Sequence, residues 1–378
     1  MLEAHWDAER GHCYPHTSQY RHQWLWDSCF TAICWAALGD ERASSELATA
    51  LSDQLPNGFV PHMRYAGPTI ERGPLAHVSS FTQPPIYAHA AAFMAGRGID
   101  PGAGTVARIG RALDFLLTRR LSPGGLVCIV HPWESGADDS PRWDGWMAAD
   151  WEPLRWEYRR WTDFDLGLVG LTRYDEEGAA VTGTTFQVAP AAFNALTAHA
   201  AAELARLTGD DGWRRRAERL AATMDERLWN EREGLWSDEA VVGGGGTPSS
   251  VHVPTLDGML PALVTADAGR AERALDQLLD DDRFAAPYGL AYVAREHPKY
   301  QADTYWRGTA WMQINYLALL AARRWGRDDV AEQIVRMSRR AAGVSGLAEH
   351  WNPETGQGYG ATPLTWSALI VAIDQAAA

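Results

Sequence analysis

The amino-acid sequence predicts an all-α protein whose helices form a toroid of two concentric rings, an (α/α)6 barrel. The first indication is periodicity, since apolar residues recur every three or four positions along 213–228 and 269–281. The second is that the same pattern predicts twelve helices and almost no strand. The third is the short connectors between neighbouring helices, which arrange the twelve as six pairs. Six helical pairs suit such a toroid.

Each helix is predicted from this periodicity and from residues that are typical of helix ends. The connectors at 38–41, 208–212 and 325–329 each place a glycine beside aspartate, as expected for a helix end followed by a new N-cap. The run of four glycines at 243–246 is too short to separate domains. We therefore predict a single domain over residues 1–378. The predicted helices span 27–38, 41–55, 84–97, 104–118, 162–173, 186–208, 212–228, 254–265, 269–281, 303–325, 327–342 and 362–376.

Composition excludes several classes of protein. The net charge of −14 argues against nucleic acid and anionic membranes as partners, because both require a basic face. No apolar run approaches the ~18 residues of a membrane span, and the N-terminus lacks a basic region followed by an apolar core. Cys13, Cys29, Cys34 and Cys128 form no CxxC pair or zinc spacing, and Cys29 and Cys34 lie in an apolar, helix-like segment, so these two are expected to be buried thiols. These features predict a cytoplasmic protein.

Long connectors and clustered tryptophans indicate where function lies. The connectors near 56–83, 119–161, 229–253 and 343–361 are long, and long loops in a compact domain are usually functional. Six of the 18 tryptophans lie within one of them, at positions 133, 143, 146, 151, 156 and 161. Tryptophans that serve only a core would follow helical spacing. This cluster instead favours flat platforms for a ligand.

The stretch "HPWESGADDSPRWD" (131–144) concentrates acidic residues between two of these tryptophans. Its carboxylates are Glu134, Asp138, Asp139 and Asp144. Crowded like charges raise one another's pKa and resist burial. Arg142 is the only arginine or lysine in the stretch, and we expect it to anchor the loop against Glu134 or Asp144. By itself such a loop is a solvated surface or a divalent-ion site about as often as it is catalytic.

Four further stretches combine aromatic and polar residues. Each key residue has a structural alternative: Asp27 as a helix cap, Gln83 as a backbone partner, Arg307 in an ion pair and Glu349 as a solvated carboxylate. Together they suit a sugar, because its C–H faces stack on indole and its hydroxyls bond polar side chains. Two carboxyl groups on separate loops would supply acid and base for glycosidic cleavage. The stretches are "YRHQWLWDSCF" (20–30), "HVSSFTQPP" (77–85), "TYWRGTAW" (304–311) and "LAEHWNPETG" (347–356).

These motifs resemble those of a known glycosidase family. "WESGADDSPRW" resembles the signature of inverting glycosidases with an (α/α)6 barrel, the clan of trehalases and processing α-glucosidases. "QWLWDSCF", "TQPP", "YWRGTAW" and "EHWNPETG", in that order, look more narrowly like the mannosylglycerate/glucosylglycerate hydrolase group related to glycoside hydrolase family 63. The resemblance runs from about Tyr20 to Ala372.

The resemblance implies roles for individual residues. It places the general acid at Asp138 and the base that activates water at Glu349. Trp133 and Asp139 would keep the acid protonated, and an inverting mechanism needs the carboxyl groups roughly 6.5–9.5 Å apart. No cofactor or metal is implied. The implied substrate-binding residues are Tyr20, Trp24, Trp26, Asp27, His62, Tyr65, Gln83, Trp133, Tyr305, Trp306, Arg307 and Trp311.

The sequence also departs from the family pattern. Asp139 stands where relatives often have asparagine, and Thr309 stands where they often have proline. Leu364 and Thr365 stand where glycerate-specific relatives tend to offer glutamine. This last change bears on the part of the substrate that leaves, the aglycone.

The expected function is inverting hydrolysis of a small soluble α-glucoside or α-mannoside of the glucosylglycerate or mannosylglycerate type. One alternative is an α-glucosidase acting on short α-gluco-oligosaccharides or trehalose-like disaccharides. Another is a sugar-binding protein without activity. A third is an epimerase on the same fold, for which histidines are available at 62, 77, 89, 252 and 350.

Overall fold

The computed structural model describes residues 1–67, 73–146, 158–242 and 250–376, and α-helices dominate it. Short 3-10 helices occur at Pro132–Ser135, Pro141–Trp146, Leu256–Leu263, Tyr305–Arg307 and Thr365–Leu369. The α-helices are α1 (Leu2–His5), α2 (Leu25–Ala37), α3 (Arg42–Ala50), α4 (Tyr87–Ala95), α5 (Ala103–Arg119), α6 (Tyr158–Gly170), α7 (Ala191–Thr208), α8 (Asp211–Arg227), α9 (Ala268–Asp276), α10 (Met312–Arg324), α11 (Asp328–Ser345) and α12 (Ile370–Ala376).

The strands are two to five residues long, and all their pairings are antiparallel. Strands this short carry too few residues for alternation to show in the sequence. Within the described residues the largest sheet has three strands, in the order β11-β10-β7. The strands are β1 (Trp6–Asp7), β2 (His12–Cys13), β3 (Gln23–Trp24), β4 (Met63–Arg64), β5 (Thr172–Tyr174), β6 (Ala180–Gly183), β7 (Gln187–Ala189), β8 (Trp229–Asn230), β9 (Leu235–Trp236), β10 (Asp238–Val242), β11 (Ser250–Val251), β12 (His350–Trp351) and β13 (Gly358–Tyr359).

Buried and amphipathic helices alternate along the chain. Every residue of α2 is buried, as is every residue of the 3-10 helix Leu256–Leu263, and α4, α7 and α10 are buried on most sides. The helices that follow them, α3, α5, α8, α9 and α11, bury one face only. Neighbours such as α2 and α3, or α7 and α8, pack together. An inner helix is thus followed by an outer one.

The glycine signals are confirmed at all three connectors, but the aspartate N-cap is confirmed at one only, because α3 and α11 have Glu41 and Arg327 as N-caps without a side-chain bond. The side chain of Asp210 accepts a hydrogen bond from the backbone N–H of Gly212 at 2.7 Å, at the start of α8. Gly39, Gly209 and Gly326 adopt positive φ where α2, α7 and α10 end. These signals act between neighbouring residues, so the sequence is enough to predict them.

Four predicted helices differ from the structure. The segment 362–376 becomes an α-helix only at Ile370, after the 3-10 helix Thr365–Leu369. The segment 186–208 begins as strand β7 and becomes helical only after Pro190. The segment 254–265 is a 3-10 helix that contains Pro261. The segment 303–325 breaks after Arg307, because Ala310 exchanges two backbone hydrogen bonds with Trp351 at 2.8 and 3.0 Å and is therefore extended.

A buried ion pair fixes the start of the acidic loop. Arg120 donates to both carboxylate oxygens of Glu134, at 2.9 and 2.5 Å, and both side chains are almost fully buried. Glu134 also accepts from the backbone N–H of Val130 at 2.7 Å and of Thr82 at 3.1 Å. Four hydrogen bonds compensate the carboxylate for its lost hydration, so the loop is tied to two other segments.

A second arginine anchors the middle of the loop. Arg142 donates to Asp238 at 2.8 Å and to Tyr292 Oη at 2.9 Å, and it also pairs with Asp257. All four side chains are buried. The two carboxylates raise the pKa of Arg142 despite its burial, so the guanidinium stays charged. The loop is thereby joined to strand β10 and to the 3-10 helix at 256–263.

A third arginine holds the end of the loop. Arg307 forms a two-point pair with Asp144, at 3.1 and 2.7 Å, and Lys299 approaches the same carboxylate at 2.9 Å. The expectation that Arg142 would pair with Glu134 or Asp144 is therefore wrong, because both carboxylates have other cationic partners. The structural alternative for Arg307, an ion pair, is confirmed.

The cysteines and the apolar helices agree with what the composition predicts. All four cysteines are buried with free thiols, as expected for Cys29 and Cys34. Within the described ranges, no helix combines the length and the apolar character needed to span a membrane.

We predict that Glu134→Ala destabilises the protein strongly. The change leaves the buried guanidinium of Arg120 without its carboxylate, a loss of about 3–5 kcal/mol in the free energy of unfolding. Glu218→Ala is the matched control, because Glu218 faces Arg214 at the surface with both side chains more than half exposed, and such pairs contribute at most about 1 kcal/mol. Thermal unfolding followed by circular dichroism measures both. Equal melting temperatures for the two variants would contradict the prediction.

Candidate active site

A cavity of about 400 Å³ brings together residues that are far apart in the sequence. A larger groove of about 720 Å³ lies elsewhere, beside Trp229, and none of the predicted site residues lines it. The smaller cavity is therefore the candidate active site. Its lining residues are Pro15, Tyr20, Trp24, Trp26, Asp27, Met63, Gln83, Trp133, Gly136, Asp138, Asp139, Thr162, Asp165, Tyr305, Trp306, Glu349, Leu364 and Trp366.

The cavity gathers both predicted catalytic carboxyl groups and most of the predicted binding residues. Four predicted binding residues do not line it: His62, Tyr65, Arg307 and Trp311. Of these, His62, Arg307 and Trp311 are buried and Tyr65 is half-buried. The predicted residues that do line it are Asp138, Glu349, Tyr20, Trp24, Trp26, Asp27, Gln83, Trp133, Tyr305 and Trp306.

Glu349 lies just before strand β12 and is buried, so the alternative of a solvated carboxylate is wrong. The hydroxyl of Tyr20 donates to its two oxygens at 3.2 and 3.1 Å, and the backbone N–H of Ala361 donates to Oε2 at 2.9 Å. Burial raises the pKa of Glu349 above its usual value, while these donors and Tyr305 oppose the rise. Among the described residues, the groups that hold the carboxylate are thus neutral.

Gly360 makes room for this carboxylate. Its φ is +71°, and a methyl group on its Cα would lie 2.3 Å from Oε2 of Glu349. Glycine is required at this position both for its backbone conformation and for the close approach of the side chain. The residue that follows, Ala361, supplies the N–H that binds the same oxygen.

Asp138 and Asp139 follow the short helix Pro132–Ser135, which ends at Gly136 with φ +72°. Both aspartates line the cavity, Asp138 half-buried and Asp139 buried. Burial raises the pKa of Tyr305, and the charges of Glu349, Asp138 and Asp139 add to the rise. The opposed loops that carry the carboxyl groups therefore face a shared space.

Asp27 is another buried carboxyl group that lines the cavity. It lies in the first turn of α2, but the helix is capped at Trp24 without a side-chain bond, so Asp27 does not act as its N-cap. Burial, and next the charge of Glu349, raise the pKa of Asp27 well above its usual value. Gln83 accepts from the backbone N–H of Trp26 at 3.0 Å, which confirms its role as a backbone partner.

Aromatic side chains form the walls. Trp306 lines the cavity and stacks on Trp311, with ring centroids 3.8 Å apart and planes 4° from parallel. Trp311 in turn stacks on His350 at 4.6 Å. On another wall, Trp133 donates through Nε1 to Asp165 at 3.1 Å. Trp311 thus supports the wall from behind instead of lining it.

The other clustered tryptophans have different positions. Trp143 is fully buried and packs on Phe186, and Trp146 is half-buried against the same ring. Residues 151 and 156 lie outside the described residues, as does the side chain of 161. Of the described members of the cluster, Trp133 alone lines the cavity.

The chain matches the family model of the mannosylglycerate hydrolase MGH1-like glycoside hydrolase domain over residues 20–367. It belongs to that family. A mannosylglycerate hydrolase of Rubrobacter radiotolerans is 26% identical, covering 98% of this chain and 94% of the relative. A glucosylglycerate hydrolase of Mycolicibacterium hassiacum is 28% identical, with 93% and 91% covered.

A solved structure extends the similarity to the fold. The family 63 mannosylglycerate hydrolase of Thermus thermophilus, in complex with Tris and D-glycerate, superposes with a TM-score of 0.82 and 26% identity. The match covers 99% of this chain and 98% of that one. This chain is therefore a helix-rich glycoside hydrolase with the fold of that enzyme.

Sequence reasoning missed several residues that line the cavity of this glycoside hydrolase. Thr162 and Asp165 lie three residues apart on α6, so they share a helix face, and that spacing beside the acidic loop was the available signal. Trp366 lies two residues after Leu364, in the segment where the family pattern is broken. Its Nε1 donates to the backbone carbonyl of Glu349 at 3.2 Å.

We predict that Gly360→Ala lowers kcat sharply without unfolding the protein. The added methyl group displaces the carboxylate of Glu349 from its donors. Gly346→Ala is the matched control, because Gly346 has a similar φ of +66° and nothing within 4 Å of the added methyl group. Both variants place a side chain at a positive φ. Steady-state kinetics and thermal unfolding of the two variants distinguish the effect of backbone strain from that of displacing the Glu349 carboxylate. Equal kcat values would contradict the prediction.

Proposed function

We propose that this enzyme is an inverting α-glycoside hydrolase with Asp138 as the general acid and Glu349 as the general base. The observation that carries the proposal is that these two carboxyl groups, on separate loops, line one cavity with tryptophan walls. Inversion needs a water molecule between the base and the anomeric carbon, and hence carboxyl groups roughly 6.5–9.5 Å apart. No cofactor takes part.

The base is the better defined of the two groups. Tyr20 and the N–H of Ala361 hold its oxygens in place, so its lone pairs have a fixed direction. A raised pKa makes Glu349 a stronger base than an exposed glutamate, and catalysis is favoured when the pKa of the base approaches the working pH. A water bound beside Glu349 would lose a proton to it while the sugar bond breaks.

The acid must be protonated before the bond breaks. Asp138 would donate its proton to the glycosidic oxygen, so that the aglycone leaves as a neutral alcohol. Trp133 and the neighbouring Asp139 line the same cavity as Asp138. An apolar wall and a second carboxyl group both favour the protonated form of an aspartate.

The proposed substrates are small α-linked glycosides of glucose or mannose, of the glucosylglycerate or mannosylglycerate type. Relatives named for these substrates share nearly the full length of the chain. We propose that Trp26, Trp133 and Trp306 stack against the sugar and that Asp27 and Gln83 bond its hydroxyls. All five line the cavity.

A second candidate is a neutral α-glucoside, such as a short gluco-oligosaccharide or a trehalose-like disaccharide. It is favoured by the apolar Leu364 in the lining, where glycerate-specific relatives tend to offer glutamine. Among the described lining residues there are five carboxyl groups and no arginine, lysine or histidine. The same observation weighs against an epimerase, which would need histidines in the cavity.

We further propose that the helices form an (α/α)6 barrel within one domain that spans residues 1–378. The alternation of buried helices with helices buried on one face supports two concentric rings. The cavity residues of the inner helices lie at or near helix starts, as with Asp27 in the first turn of α2. A shared end of the barrel would gather them.

The test is a hydrolysis screen over glucosylglycerate, mannosylglycerate, trehalose, kojibiose, nigerose and isomaltose. For the hydrolysed substrate we expect Asp138→Asn and Glu349→Gln each to lower kcat by about 100-fold or more. Glu354→Gln is the matched control, since Glu354 lies in the same loop but accepts from Tyr300 at 3.0 Å, away from the cavity. It should keep wild-type kcat.

The anomer of the sugar that is released first distinguishes inversion from retention. Time-resolved NMR should show the β-anomer of the sugar first, as inversion at an α-linkage requires. An α-anomer appearing first would refute inversion, and full activity of Glu349→Gln would refute the base assignment. Wild-type protein that hydrolyses nothing in the screen, yet binds a sugar, would instead support a binding protein.

We also predict a shift in the pH profile of Tyr20→Phe. The Tyr20 hydroxyl lowers the pKa of Glu349, so its removal raises that pKa further. The base must be ionised, and therefore the acidic limb of kcat/KM should move to higher pH. Tyr300→Phe is the control, because it removes a similar bond to Glu354 outside the cavity. An acidic limb that stays in place, or moves to lower pH, would contradict the role of Tyr20.

A further inference from the structure

Two histidines and a glutamate converge away from the active-site cavity. His89 lies on α4, and His199 and Glu203 lie one turn apart on α7. One ligand atom from each residue falls within 4.8 Å of the other two. None of the three lines the candidate active site. Within the described residues this is the one group of histidine, cysteine and carboxylate side chains with such spacing.

The geometry is close to that of a tetrahedral metal site. Nε2 of His199 is 3.2 Å from Nδ1 of His89 and 3.9 Å from Oε1 of Glu203. In a tetrahedral zinc site with Zn–N bonds of about 2.0–2.1 Å, neighbouring ligand nitrogens are roughly 3.3 Å apart. The two ring nitrogens, which share a hydrogen bond, are therefore already at nearly the separation of zinc ligands, and the carboxylate oxygen must move closer.

The outer partner of His89 also fits. Tyr316, on α10, lies with its hydroxyl 2.9 Å from Nε2 of His89, the nitrogen that points away from His199. Metal-bound histidines almost always use the second ring nitrogen in a hydrogen bond, which fixes the tautomer and the ring orientation. A proton on Nε2, donated to Tyr316, leaves the lone pair of Nδ1 free to bind a cation.

Protons and other cations compete weakly for the site. Burial lowers the pKa of His199 to about 4, and that of His89 also falls well below its usual value, so both rings are neutral at pH 7. Arg206 pairs with Glu203 at 2.9 Å, but its side chain is 72% exposed and can turn to solvent at little cost. The positive charge of Arg324 also acts on His199 and opposes the binding of a cation there.

We propose that His89, His199 and Glu203 bind one divalent transition-metal ion of the zinc class, with water as the fourth ligand. The ion cross-links α4 to α7, two helices that are buried on most sides. Two imidazoles and a carboxylate form a borderline-soft donor set that suits Zn²⁺ and Co²⁺ and disfavours Mg²⁺ and Ca²⁺. The site is structural and separate from the glycosidase chemistry.

The experiment uses the full chain, stripped of metal with a chelator and then desalted. Calorimetric titration with ZnCl₂ should show one ion bound per chain, and CoCl₂ should give the visible absorption of tetrahedral cobalt. Zinc should also raise the melting temperature, because the ion binds the folded state only. His199→Ala and Glu203→Gln should each weaken zinc binding by about tenfold or more, and the cobalt spectrum should be lost in His199→Ala.

His297→Ala is the matched control, because it removes a partly buried histidine outside the cluster. It should bind zinc like the wild type. No zinc or cobalt binding by wild-type protein would overturn the proposal, as would unchanged binding by His199→Ala, which would place the ion on other residues. If circular dichroism shows that His199→Ala does not fold, Glu203→Gln decides the matter by the same measurements.

Discussion

Three buried arginines determine the conformation of the loop on which the active site depends. Arg120, Arg142 and Arg307 each pair with a buried carboxylate, so each end and the middle of the acidic loop are fixed. A buried charge is tolerated only with its partners complete, which leaves the loop few alternatives. The acidic stretch therefore divides into anchoring carboxylates, Glu134 and Asp144, and others that remain at the cavity.

The loop that carries Glu349 holds its carboxylate in another way. Glu349 has hydroxyl and backbone donors where the anchoring carboxylates have guanidinium groups. Neutral donors fix its direction without neutralising its charge. An arginine in their place would lower the pKa and weaken the base. Glu349 and the anchoring carboxylates are thus distinguished by the charge of their partners, although all of them are buried carboxyl groups.

Local features of the fold could be predicted from the sequence, and non-local ones could not. Helix periodicity and the cap at Asp210 involve residues within one or two turns, so the pattern is visible in the chain. The break before α10 depends on pairing between Ala310 and Trp351, and the partners of Arg142 come from distant segments. In the site, residues that belong to sequence motifs could be predicted as lining the cavity. Asp165 was not predicted, because a polar residue on an amphipathic helix is ordinarily solvated.

The stack of Trp306, Trp311 and His350 restricts how this enzyme can change. His350 directly follows Glu349 in the chain, so one rigid column of rings connects the cavity wall to the neighbourhood of the proposed base. Altering the width of the wall at Trp306 would disturb the backbone beside Glu349. Evolution of new specificity, or its engineering, is therefore directed to lining residues that are not members of the column, such as Leu364.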